Sequence, residues 1–278
     1  MRRPKPVLVA VSSDQHCNSM IGLCPAGGVA LDEGGKYLPS KAQQWTWDCW
    51  LNYHRAVRDL RKELGARLVY VNNGDAVDGD HHNTSQIITR NMESQAYITH
   101  RVFSVVKDLA PDEVYVVRGT TTHVGEGAAA EEALAKHLKA QRDPDTESWS
   151  SWHVRLDIHG RELDFQHHAS VGGLPWTVPG GVARLAFKHW AERLQAGLRP
   201  ADVIVRSHKH VHADSYGAHR TRAIITPAWQ LKTAFAHKVA TESIADIGSI
   251  AVIVWPDKEP EVRKWLYQPA LPTLRNVA

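Results

Sequence analysis

What the chain lacks narrows its class first. It has no apolar run long enough to span a bilayer: stretches such as 250–255 fall far short of the roughly 20 residues a membrane helix needs. Cysteine is scarce. Cys17, Cys24 and Cys49 make an odd number without a CxxC pair, so no disulfide framework can be drawn, and a reducing compartment suits them. No internal repeat, low-complexity tract or Ser/Gly linker divides the chain. Charge of one sign is missing too. Lys and Arg number 33 against 30 Asp and Glu, a net +3, which tolerates an anionic substrate but is not the basic stripe of a dedicated nucleic-acid binder. With 43% hydrophobic and 23% charged residues, the 278-residue chain is not disordered, collagenous or coiled-coil. Its basic opening (Arg2, Arg3, Lys5) precedes an apolar run, 7–11, too short for a signal-peptide core. The expectation is a cytoplasmic protein with a single domain over 1–278 and loop insertions near 18–40 and 80–90.

What is present alternates strand with helix. The run 7–11 reads as a strand buried on both faces. Apolar spacing predicts a helix over 42–64 stopped by Gly65, and another over 94–109 ended by Pro111. Strands are expected at 67–71 and 113–117, then a helix over 126–140. His159-Gly160 should turn a hairpin between 152–158 and 162–166. A helix over 182–198 and strands at 202–206, 222–226 and 250–255 complete an α/β pattern. Three segments do not fit: 18–40, 80–90 and 170–180 are polar or rich in Gly and Pro, the composition of functional or mobile loops.

The 17 histidines carry the chemistry. Apolar strands repeatedly end in metal-type ligands. After 7–11 come Asp14 and His16, which in an extended chain point to one side. After 67–71 come Gly74, Asp75 and Asp78; after 114–117, Arg118, Gly119 and His123; after 163–166, His167 and His168; after 203–205, His208 and His210. A lone DxH or HxH arises often by chance, and a lone Gly-Asp is commonly a turn. Five in series at strand ends are a pattern, because open α/β sheets bind ligands at the carboxyl ends of their strands. A His-and-carboxylate set without thiolate suits Mn, Fe or Zn.

This order resembles the calcineurin-like metallophosphoesterase family, whose motifs run D-x-H, G-D-x-x-D, G-N-H-[DE], a lone H, and G-H-x-H. The likeness spans residues 14 to 210. It implies a four-layer αββα sandwich of two mixed sheets and a binuclear centre of two divalent ions, manganese first, with iron or zinc as alternatives. By the resemblance Asp14, His16 and His210 hold one ion, and Asp75 bridges. His208 holds the other together with His167, or His168 in its place, and Asp78 orients the site. The implied activity is hydrolysis of a phosphomonoester or phosphodiester by a metal-activated water, as a phosphatase or phosphodiesterase. Arg118 and Arg206 would offset phosphate charge, although each also reads as a solvated charge closing a strand. Two departures stand out. Gly119 is followed by three threonines before His123, so the family asparagine is missing. His123 is then either the histidine that assists the leaving group or a ligand in the asparagine's stead. Ser207 replaces the glycine before His208.

Other residues have plainer readings. His81 and His82 read as polar loop residues rather than cleft formers, and His212 as a surface histidine. Trp45, Trp47 and Trp50 read as helix core rather than an aryl-binding wall, and Cys17 as a small packed residue. Leu174, Pro175 and Trp176 suit a cleft rim. A nuclease of the same family acting on DNA or RNA, an inactive scaffold that kept the fold, and a single-metal oxygenase using Asp14, His16 and His210 are the rival readings. Neither membrane partner nor nucleic acid is indicated by charge, and oligomeric state is not legible.

Overall fold

Every residue of β1 (Val7–Ser12) is buried, because the strand lies between layers instead of along a surface. The computed structural model describes residues 4–32, 34–80, 84–172, 177–239, 241, 244–270 and 273–275. After β1, a two-residue hairpin, β2 (Val29–Ala30) and β3 (Lys36–Tyr37), interrupts the long first loop. Next comes α1 (Lys41–Leu64). Ser40 caps it by accepting from the Gln43 amide while the Gln43 side chain reaches back, and Gly65, at φ 58, ends it. Then follow β4 (Arg67–Asn72), α2 (Met92–Asp108), β5 (Glu113–Val116), one turn of helix α3 (Thr121–Val124), and α4 (Ala129–Leu138). The hairpin β6 (Val154–Ile158) and β7 (Arg161–Phe165) turns at His159 and Gly160, both left-handed, as a two-residue turn requires. The chain closes with α5 (Val178–Gln195), β8 (Val203–Arg206), β9 (Ala213–Asp214), β10 (Arg222–Ile225), α6 (Ala234–Val239), β11 (Ile247–Val254) and β12 (Glu261–Tyr267).

Some boundaries differ from expectation for local reasons. The helix expected over 126–140 is broken, because Gly125, Gly127 and Ala128 take positive φ; regular helix starts only at Ala129. Helix α5 starts earlier than 182, with a proline in its first turn. β12 was not expected. It is an edge strand in which Arg263 and Lys264, consecutive and so on opposite faces, are both exposed, which hides the period-2 signal.

The strands form two five-stranded mixed sheets, ordered β12-β11-β1-β4-β5 and β6-β7-β8-β10-β9. Side-chain parity shows how they stack. Val7, Val9, Val11, Val69 and Val71 of the first sheet share a cluster with Leu163, Phe165, Val203, Val205 and Ile224 of the second. The alternate residues Leu8, Ala10, Leu68 and Tyr70 pack with Trp50, Tyr53, Val102 and Leu134 from α1, α2 and α4. On the far side, Ile204, Ala223 and Ile225 pack with Val178 and Val182 of α5. The result is helices, sheet, sheet, helix: the αββα sandwich the motif order implied. Among the described residues no helix is long and apolar enough to cross a membrane.

The register positions the site. β1 and β4 run parallel with Ser12 beside Asn72, and Asn72 lies beside Val116 of β5. In the other sheet, β7 and β8 run parallel with Phe165 beside Val205. Ligand-bearing turns therefore leave both sheets at one end. A polar seam ties the sheets there: Asn73 donates to Gln166 O (3.1 Å) and Ser207 Oγ (2.7 Å), and Thr226 Oγ1 lies 2.7 Å from both Ser13 Oγ and Ser207 Oγ.

Candidate metal centre

The turns at this end are unusual in their backbone. Asp14 (φ 53), His16 (φ 44), Asp75 (φ 54), His208 (φ 72) and His210 (φ 54) are all left-handed. Such residues cost about 1–3 kcal/mol each and persist where the surroundings dictate them, typically at functional sites. The extended-chain picture of Asp14 and His16 is therefore corrected: left-handed turns aim them, not alternation along a strand. Backbone bonds hold the turns, with Asp14 N donating to Gly74 O (2.9 Å) and His16 N to Asp75 O (3.1 Å).

These turns bring ligand atoms into four overlapping groups: Asp14–His16–His210, Asp14–Asp75–His167, His167–His168–His208 and His16–Asp78–His123. His16 Nε2 lies 3.3 Å from His210 Nε2, and His210 Nε2 lies 3.3 Å from Asp14 Oδ1. Yet that buried Asp14 oxygen makes no hydrogen bond. A buried carboxylate oxygen left without one, facing two imidazole nitrogens, fits a cation site. The histidine tautomers fit as well. His167 Nδ1 donates to Asn73 O (2.8 Å), which presents Nε2 to Asp75 Oδ2 at 2.9 Å. His16 Nδ1 lies 3.4 Å from Asp78 Oδ1, so its Nε2 also points inward.

Charge is concentrated and buried. Burial works against the carboxylates, but His210 and His167 bring Asp14 down to about 2. Asp75 is likewise held well below the usual range by His167 and His208, against its burial. In turn, the two aspartates outweigh the burial of His167 and raise it to about 10. The two buried carboxylates favour positive charge beside them, which a protonated His167 or a divalent cation would supply. Burial and the Asp75 carboxylate push Glu131 up to about 8.

Not every expected residue joins. Arg206 was expected to meet a phosphate, but it follows Ile204 on the face turned to α5. There its guanidinium binds Asp164 (2.8 Å), 5% exposed. Strand alternation decided this, since Val205 takes the inner face. Arg118 is held at Ser150 Oγ (3.0 Å) and near Glu132, over the Trp152 ring. His123 does not stand with His167 and His208; its Nδ1 bonds Asp78 Oδ1 at 2.8 Å, and its ring meets His16 edge-on at 4.7 Å. His212 is half-buried rather than a surface residue, because its Nδ1 bonds Ile225 O. Trp50 is fully buried with Trp45 and Trp47 packed on the same core, and burial pushes the Cys17 thiol up. The loops 18–22 and 84–90 pair beside the Asp78 end, Met20 N donating to Gln86 O and Ile88 N to Asn18 O. His81, His82, Leu174, Pro175 and Trp176 lie outside the described residues.

Two residues were missed. Thr120, immediately after Gly119, donates its amide to Asp75 Oδ1 (2.6 Å) and places Oγ1 3.1 Å from Asp75 Oδ2. Counting one residue on from Gly119 would have found it. Glu131, fully buried, accepts from Gly119 N at 2.6 Å and fixes that turn from α4. A glutamate in a helix carries no sequence signal of such a role.

No family model and no curated protein matches the chain. Among solved structures it is similar to zinc-complexed Vps29 from Entamoeba histolytica, at 10% identity and TM-score 0.39, covering 93% of this chain and 98% of that one. It is similar to a hypothetical protein of Pyrococcus horikoshii at 12% identity and TM-score 0.46, covering 94% and 88%. A third is the sulfate thiohydrolase SoxB of Thermus thermophilus, at 11% identity and TM-score 0.44; 96% of this chain matches 57% of that one. Likenesses at this level say nothing of chemistry, which rests on the side chains described above.

Proposed function

We propose that this protein is a metal-dependent phosphoesterase that hydrolyses a phosphomonoester or phosphodiester. One observation carries the reading. Four strand ends, those of β1, β4, β7 and β8, supply the clusters Asp14–His16–His210 and His167–His168–His208, and the Asp14–Asp75–His167 group joins them. Asp14, His16 and His210 would hold one ion and His167 and His208 a second, with Asp75 between; manganese, iron and zinc suit this donor set. Two such ions would supply charge to offset a phosphate and would lower the pKa of a water held there toward neutrality.

The remaining work falls to side chains of this chain. Asp78 holds His123 by Nδ1 and steadies His16 through the same oxygen, so one carboxylate sets both rings. With its ring fixed beside the His16 cluster, His123 is placed to give a proton to the leaving oxygen. Glu131 and the Gly119 amide hold the turn from which Thr120 grips Asp75. Gln230 donates to the other Asp78 oxygen at 3.4 Å.

The test is hydrolysis of p-nitrophenyl phosphate and bis-p-nitrophenyl phosphate by metal-stripped protein given Mn, Zn, Mg or Fe in turn. At least one metal should restore turnover, and Asp75→Asn should lower it by roughly a hundredfold or more. No turnover with any metal would favour a binding protein over an enzyme.

A further inference from the structure

With the amide ligand of the resembled family missing, the donors around the second position must come from elsewhere. The structure gathers donors around the Thr120 hydroxyl there. Thr120 Oγ1 lies 3.1 Å from Asp75 Oδ2, 3.2 Å from His208 Nδ1, and 3.4 Å from both His167 Nε2 and His168 Nε2. The ligand nitrogens of His167, His168 and His208 all lie within 4.8 Å of one another, and Asp75 Oδ2 adjoins two of these residues, 2.9 Å from His167 Nε2 and 3.9 Å from His208 Nδ1. The adjacent histidines do not exclude one another. Their rings stand edge to face at 4.9 Å, and each faces His208, at 5.3 and 4.9 Å.

We propose that His168 replaces the missing amide, so that His167 and His168 both bind and the second cation sits among three histidines and Asp75. This rests on the reading that the cluster holds ions, and deepens it. The sequence offered His167 or His168 as alternatives; the geometry uses both. Consecutive residues can do so because His167 is fully inserted, with Nδ1 anchored on Asn73 O, while His168 approaches from the exposed side. His123 is spoken for by Asp78 and lies in the His16 group. Exchanging an amide oxygen for an imidazole nitrogen moves the site's preference from Mn or Mg toward Zn, Fe(II) or Co(II).

The test titrates Co(II) into metal-stripped protein, following visible absorption and bound metal per chain. The parent should bind two equivalents. His168→Ala, an exposed position whose fold is checked by circular dichroism, should keep the first. Its second equivalent should weaken by roughly a hundredfold or more, since even outer partners of ligands are worth 10–100-fold. His123→Ala and Thr120→Val should each keep both. Second-ion affinity in His168→Ala within threefold of the parent overturns the proposal and leaves the phosphoesterase reading standing. So does loss of the second ion in His123→Ala or Thr120→Val alone. A parent that binds no Co(II) overturns both.

Discussion

Gly119→Ala is the sharpest probe of the centre, because it adds one methyl group at a place the structure leaves no room. A Cβ there would lie 2.2 Å from Asp75 Oδ1, 2.4 Å from Asp75 N and 3.0 Å from Asp75 Cγ. Ordinary contact begins near 3.4 Å, so the carboxylate must retreat by about 1 Å. Coordination distances tolerate only about 0.2 Å, and a misplacement of about 1 Å can cost on the order of a hundredfold in rate. The retreat would also break the bond from the Thr120 amide to Asp75 Oδ1. Overpacking of this kind costs about 1–3 kcal/mol, equivalent to a melting temperature lower by roughly 2–5 °C in a chain this long. Differential scanning fluorimetry, bound metal per chain and turnover of p-nitrophenyl phosphate would all be read on the one variant. Gly180→Ala is the control: nothing lies within 4 Å of its Cβ, and in helix α5 the change should be neutral or mildly stabilising. If Gly119→Ala kept the parent's metal content, turnover and melting temperature, the close approach of Gly119 to Asp75 would be wrong, and the placement of the Asp75 carboxylate with it.

Three further predictions follow from separate parts of the molecule. His123→Gln should lower kcat by about 10²–10⁴, the usual worth of a positioned proton donor, while metal content stays at the parent level; a fall in bound metal instead would make His123 a ligand. Arg206→Met should destabilise by about 3 kcal/mol in urea titrations, because it strips the buried Asp164 of its closest guanidinium, and should leave the KM for substrate unchanged. A raised KM at parent stability would return Arg206 to the phosphate. His54 is buried with Nδ1 on Trp50 O, and its burial lowers it to about 4, whereas the unfolded chain takes that proton near 6.5. Between those values the unfolded state binds more protons, so stability falls as pH drops from 6.5 to 4, by about 3 kcal/mol in full. His54→Leu should flatten that part of the pH–stability curve, and an unchanged slope would refute the assignment.

Much was legible without coordinates, and the reason differs by element. β1 was readable because a strand covered on both faces needs an unbroken apolar run, and α1 because its stripe ends on a glycine able to turn left-handed. β12 was not, because an edge strand partly open to water mixes charge with apolar residues on both of its faces. The broken start of α4 was hidden as well, because the positive-φ backbone at Gly125, Gly127 and Ala128 is set by the fold and carries no mark in the helical apolar spacing.

The candidate site divides the same way. Ligand-type residues at successive strand ends are a local property, so Asp14, His16, Asp75, His167, His168, His208 and His210 could be picked out by position alone. Which of them share a centre depends on how two sheets stack, and here the tertiary structure decided. It moved His123 to Asp78 and placed His168 beside His167. It turned Arg206 to Asp164, because alternation along β8 leaves residue 206 on the helix side. Thr120 and Glu131 acquire their roles only from neighbours far along the chain. A side chain's type is written at its own position, but its partners are set by packing, and packing is a property of the folded whole.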